Sequence, residues 1–241
     1  MRKSPQTPDE IFEAYVTDWR TTYGHDLEAV ALYGSGARGE YVPGKSDLNF
    51  FIVLTSAAIS NLRRAVPITE KWRGHAVAVP LVTTRQYIQN SLDSFPIEFL
   101  DIKQHHRLIF GPEVLKDLEI SRDHLRLQLE RELKGKLLHL REGLLSSGYA
   151  REELRTVLNK SLIAFMPLFS ALLYLKNEEL PNKLREVFDK VAQTAALDQD
   201  CFNELFRVVS AEARPYRDEL WQLTDRYIAQ IEKLTQLVDK M

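Results

Sequence analysis

The chain has 241 residues, with 32 Lys+Arg against 34 Asp+Glu and a formal net charge of −2. With 44% hydrophobic and 27% charged residues and only 10 Gly and 10 Pro, its composition excludes collagen-like, disordered and low-complexity classes. The near-neutral balance lacks the broad cationic field of a protein that holds nucleic acid through its phosphates, so nucleic acid is not the expected partner. The length suits one large domain or two small ones.

In chain order, Ile11, Phe12, Tyr15, Val16 and Trp19 fall three and four apart after Asp9, which predicts an amphipathic helix over residues 9–22, ending at Gly24. The short apolar runs 29–33 and 48–54 predict two strands, joined by a connection that holds Gly34-Ser35-Gly36 and Pro43-Gly44-Lys45-Ser46. Residues 57–73 read as a helix, Ala76 to Val79 as a third strand and Thr84 to Leu92 as a further helix. Ile97 to Ile102 alternates imperfectly and is expected to be extended, closed by Gly111-Pro112. Beyond about residue 120 glycine and proline thin out. Leu125, Leu129, Leu133, Leu137, Leu140 and Leu144 recur at helical spacing. Helices are expected near 122–146, 150–176, 181–194, 198–210 and 214–240. The expected fold class is therefore α+β: a small mixed sheet with flanking helices over residues 1–118, followed by an all-α helical bundle over residues 119–241.

Cys201 is the single cysteine, which rules out an intrachain disulfide and suits a reducing compartment. The start of the chain lacks the apolar stretch of a signal peptide. The longest apolar run, Leu162 to Leu175, holds 14 residues broken by Pro167 and Ser170, short of the roughly 20 that a bilayer span needs. A cytoplasmic protein without a membrane partner is expected, and the apolar run is a candidate homodimer surface where its face is not covered within the monomer.

The segment that carries chemistry is Leu32-Tyr33-Gly34-Ser35-Gly36-Ala37-Arg38, followed by Ser46-Asp47-Leu48-Asn49-Phe50. A Gly-Ser pair at a strand end lets backbone approach a ligand closely, and backbone N–H groups at a following helix start can receive phosphate oxygens. Alternation along the second strand puts Asp47 and Asn49 on one face and Leu48 and Phe50 on the other. At these residues the chain resembles the polymerase-β-like nucleotidyltransferase superfamily, in layout its aminoglycoside and minimal members, whose pattern is hydrophobic-Gly-Gly/Ser, a spacer, then Asp-hydrophobic-Asp/Glu-hydrophobic. The resemblance covers roughly residues 25–112.

The resemblance implies a nucleoside triphosphate with Mg²⁺ or Mn²⁺, carboxylates on adjacent strands holding the metal, and a hydroxyl-bearing acceptor, small molecule or macromolecule, that attacks the α-phosphorus. It assigns Asp47 and Asn49 to the metal, Asp47, Asn49 and Glu98 to catalysis, and Gly34, Ser35, Gly36, Arg38, Lys45 and Ser46 to the nucleotide. Two departures stand out. Asn49 replaces an acid, and Val79-Pro80-Leu81-Val82-Thr83 carries Pro80 where a third acid is expected. Glu98, with Asp101 or Glu40 behind it, is the substitute candidate. The alternative is a degenerate member of the fold that serves as a nucleotide-binding or protein-interaction module.

Other readings stay open beside these. Gly34-Ser35 also reads as a capped turn, Asp47 as a turn residue, Arg38 as a structural ion pair and Lys45 as a solvated loop lysine. His105-His106 reads as packing or surface. Arg126 and Lys134 read as part of a solvated helix face, or as triphosphate contacts where that face lines a cleft. Cys201 reads as a small buried hydrophobe.

Overall fold

The computed structural model describes residues 4–148 and 150–241. The chain divides between Ile120 and Ser121 into two compact units. In the first, helix α1 (Phe12–Tyr23) follows a 3-10 turn in which Glu10 accepts the Thr7 N–H at 3.2 Å, and it ends at Gly24 with φ 58°. Strand β1 (Leu27–Tyr33) leads into the one-turn helix α2 (Ser35–Arg38), then strand β2 (Asn49–Leu54), helix α3 (Val66–Arg73), strand β3 (Leu81–Thr83), helices α4 (Arg85–Ser91) and α5 (Pro96–Gln104), and strand β4 (His106–Phe110). The sheet runs β3-β2-β1-β4. β1 is antiparallel to both β2 and β4, and β2 is parallel to β3.

Both faces of the central strands are buried, which is why they read as continuous apolar runs. Val30, Leu32, Leu48, Phe50 and Ile52 pack with Tyr15 and Trp19 of α1 and Ile68 and Trp72 of α3 in one core cluster. Tyr15 stacks on Phe50 at 4.1 Å between ring centroids and meets Trp72 edge-on at 5.3 Å. Trp19 and Trp72, far apart in sequence, thus serve the same core. Ala29, Ala31, Phe51 and Val53 on the opposite face are equally buried.

Three expectations in this unit are corrected. Residues 97–102 are not extended: they lie in α5, where Ile97, Phe99, Leu100 and Ile102 are buried on several sides of the helix. A short helix buried on several sides carries no single apolar stripe, so its sequence passes for an imperfect strand over six residues. The strand comes after it, at residues 106–110. The third strand does not run over 76–79, because Ala76 is left-handed (φ 59°) and only Val77 bridges Leu48 before regular pairing begins at Leu81. Residues 57–73 are broken into a 3-10 stretch, Ile59–Ala65, with non-helical Asn61, and then α3.

The second unit is all helical: α6 (Arg122–Ser146), α7 (Arg151–Leu175), α8 (Leu184–Thr194), α9 (Gln199–Val209) and α10 (Arg217–Asp239). Ser121 caps α6 by accepting the His124 N–H, and Asp198 caps α9 by accepting the Cys201 N–H at 3.1 Å. Six of the nine leucines of α6, Leu125, Leu129, Leu133, Leu137, Leu140 and Leu144, are buried, each worth about 1.5–3 kcal/mol, and Leu127, Leu138 and Leu145 are exposed. The long apolar run is the core of this unit: Phe165, Leu168, Phe169, Ala171, Leu172 and Leu173 on α7 are buried, leaving Ile163 exposed. α7 is long and apolar enough to cross a membrane by length and composition, with 56% of its most apolar window buried within the protein.

Candidate functional site

β1 ends at Tyr33, and Gly34 turns the chain with φ 72° and ψ −148°, a backbone region that is essentially glycine's alone. Its carbonyl accepts the N–H groups of Ala37 at 3.0 Å and Arg38 at 3.1 Å, which starts α2, and Gly39 closes that helix at φ 78°. Tyr33 pairs with Asn49 across the β1–β2 ladder. The turn therefore lies against Asn49, and a Cβ on Gly34 would stand 3.3 Å from the Asn49 Nδ2. The two halves of the sequence motif meet at one end of the sheet.

Leu48, Phe50 and Ile52 belong to the core cluster, so alternation turns Asp47 and Asn49 to the opposite face. Asp47 is exposed and Asn49 half-buried. The charge of Asp47 reaches Tyr41: that hydroxyl is held above its ordinary value first by burial, then by Glu10 and Asp47, and it donates to the Pro5 carbonyl at 3.0 Å.

The third strand decides how many acids share this face. The Leu48 N–H donates to the Ala76 carbonyl at 2.8 Å and the Ala78 N–H to the Leu48 carbonyl at 3.0 Å, bracketing the Leu48–Val77 bridge. Val77 shares the core cluster with Leu48, so its neighbour Ala78 falls on the Asp47 and Asn49 side. Pairing then shifts by one residue before Phe51 meets Leu81. Val82 packs on the core cluster, and Pro80, two residues earlier, is buried. The position beside Asp47 and Asn49 is thus Ala78, which corrects the placement of Pro80 there. Of Asp47, Asn49 and Ala78 only Asp47 carries a carboxylate. Among the described residues no group of three or more His, Cys, Asp or Glu side chains could hold a metal ion, so the donor set does not fit a carboxylate-bound metal pair.

Glu98 does not lie on a strand edge. It is exposed on the first turn of α5, because the segment is helical rather than extended. Arg38 forms an ion pair with Asp101 of the same helix, its side chain only 9% exposed against 21% for the aspartate. This is the structural pairing of Arg38 left open in the sequence. His105 is buried with Nδ1 3.3 Å from Asp101 Oδ1. Burial, and then the charge of Asp101, raise the Tyr33 hydroxyl above the ordinary phenol value. Tyr33, Arg38, Asp101 and His105 form a polar cluster behind the Gly34 turn, invisible in sequence because Arg38 and Asp101 lie 63 residues apart.

The remaining candidates have local duties. A Cβ at Gly36 would come within 3.2 Å of Leu32 and Leu48, so this glycine seats α2 on the sheet. The Ser35 carbonyl accepts the Glu40 N–H at 3.0 Å. Ser46 closes the β1–β2 connection, its Oγ accepting the Val42 N–H at 3.1 Å, and Lys45 is exposed on the same turn. His106 is set by Glu113, whose carboxylate stands 3.1 Å from Nε2, while Nδ1 faces the Lys103 carbonyl at 2.9 Å. In the helical unit Arg126 pairs with Glu130 at 2.9 Å, and Lys134 with Glu130 at 2.6 Å and Asp239 at 2.7 Å.

No family model and no curated protein matches the chain. Among solved structures it is similar to spectinomycin adenyltransferase AAD(9) from Enterococcus faecialis, determined with ATP and spectinomycin. That similarity has 12% identity, covers 89% of this chain and 98% of the other, and gives a TM-score of 0.47.

Proposed function

We propose that this protein is a degenerate member of the nucleotidyltransferase fold, which binds the phosphates of a nucleoside triphosphate at the Gly34-Ser35 turn and does not hold a catalytic metal pair. The observation that carries this reading is the strand register: Asn49 and Ala78 stand beside Asp47 where a two-metal site needs further carboxylates. An amide carbonyl and a methyl group leave one anionic protein ligand at this place, too few to hold two divalent cations side by side. Isothermal titration calorimetry with ATP, CTP, GTP and UTP, with and without Mg²⁺ or Mn²⁺, tests it. Binding that is insensitive to the metal supports the proposal, and binding that requires metal removes it.

Nucleotidyl transfer to a hydroxyl-bearing acceptor is the second reading. It is favoured by the exposed carboxylate of Asp47 next to the Asn49 amide and the Gly34 turn. Release of pyrophosphate from a labelled triphosphate in the presence of an acceptor mixture, lost in Asp47→Asn, would establish it over the first. A soluble cytoplasmic location and a small-molecule or macromolecular acceptor belong to this reading as expectations.

A further inference from the structure

The helical unit contains a cavity of about 210 Å³ whose lining includes Arg151, Glu152, Arg155, Ala211, Arg214 and Pro215. Three guanidinium groups and one carboxylate give it a formal charge of +2. Arg155 is committed: its Nη1 lies 3.2 Å from Glu152 and its Nη2 donates to the Val209 carbonyl at 3.5 Å. That pairing consumes the one acid of the lining. Arg151 is half-buried and Arg214 exposed, and among the described residues neither has a carboxylate within ion-pair distance. The opposite wall is a shaped loop rather than a loose one. Ala211 is held left-handed at φ 65° with its N–H on the Val208 carbonyl at 3.2 Å, the Ala213 N–H donates to the Arg207 carbonyl at 2.8 Å, and Pro215 follows.

Like charges gathered around a small concavity repel unless an anion sits among them. Planar guanidinium forks match the oxygens of phosphate and carboxylate better than any other side chain. The volume falls below the roughly 300 Å³ at which pockets for drug-sized ligands begin, which suits a compact oxyanion with few attached atoms. We infer that this cavity is an anion site that takes the dianionic phosphate of a small phosphomonoester, with Arg151 and Arg214 as its ligands and Arg155 holding the wall. It is separate from the sheet-edge reading and does not depend on it.

The test uses the full chain at fixed ionic strength. Inorganic phosphate, a hexose monophosphate and the corresponding uncharged hexose are titrated calorimetrically into the wild type and into Arg151→Ala, Arg214→Ala and the double variant. Hydrogen–deuterium exchange with and without phosphate locates the effect. Phosphate and the monophosphate are expected to bind and the hexose not to. Tighter binding of the monophosphate than of phosphate assigns the site to phosphorylated metabolites, and the reverse to the free ion. Each single variant should weaken binding about tenfold or more, as loss of a charge-assisted hydrogen bond implies, with new protection in residues 150–155 and 208–217. Circular dichroism checks that these surface variants fold. No binding of either phosphate at 10-fold above about 1 mM, the same affinity in the folded double variant, or protection appearing at residues 33–49 instead would overturn the assignment.

Discussion

Putting carboxylates back at the sheet edge is the most direct trial of the site's logic. Asn49→Asp places a second negative charge on the face that already carries Asp47, two residues before it in the chain, and Ala78→Glu adds one from the segment that bridges Leu48 ahead of β3. Asp47 is exposed, so the water limit is the appropriate starting point: about 1 kcal/mol per pair of unit charges near 4 Å, hence about 2 kcal/mol for one carboxylate against a divalent cation. That corresponds to roughly a thirtyfold gain in Mn²⁺ affinity for Asn49→Asp. The double variant should gain up to about a thousandfold if the two increments add, less whatever the acids repel one another before metal arrives. Electron paramagnetic resonance of free Mn²⁺ reads the affinity directly, and Asp47→Asn in the double-variant background should take back about thirtyfold of the gain. Unchanged Mn²⁺ affinity in a folded double variant would refute the assigned register and, with it, the account of why the native edge is a poor metal site.

Other consequences concern the frame around that edge. Arg38→Ala should cost about 3 kcal/mol, the low end for breaking a buried pair because Asp101 retains some solvent. Urea unfolding without any nucleotide present measures it, and a loss below about 0.5 kcal/mol would contradict the structural role of this arginine. Gly111→Ala should be worse, about 3–5 kcal/mol, since its φ is 84° and a Cβ would lie 2.0 Å from the Glu28 carbonyl oxygen. Gly24→Ala, with φ 58° and ψ −123° but open space around it, should cost only about 1–3 kcal/mol, and equal melting of the two variants would remove the steric argument. Cys201 is fully buried, and burial pushes its thiol up to about 11. A thiol-specific reagent at pH 8 should leave it unmodified until the chain is unfolded, whereas rapid native labelling would mean that the α9 core opens readily.

How much of this was legible in the sequence depended on whether the cause was local. α6 to α10 were readable because leucine periodicity and capping residues such as Ser121 and Asp198 act within one helix. The Gly34 turn and the Asp47–Asn49 face were readable because a strand's two-residue alternation is strict. α5 was misread because Ile97-Glu98-Phe99-Leu100-Asp101-Ile102 satisfies two periods at once, and only its packing chooses between them. The third strand was misplaced because a left-handed Ala76 and a one-residue shift of pairing break the simple count from Val77 to Leu81. Ala78 therefore could not be aligned with the site from sequence. Nor could the Arg38–Asp101 pair or the second partner of Lys134, which joins residues 105 positions apart.

The order of the strands also bears on how the chain is made. β1, at residues 27–33, sits between β2 and β4, but β4 begins only at His106. On the ribosome the first hairpin of the sheet emerges early and then waits, one flank of β1 offering unpaired N–H and C=O groups, until the polypeptide has grown from Leu54 to His106. A fragment that stops short of His106 should therefore be insoluble for want of a neighbour rather than for want of a core.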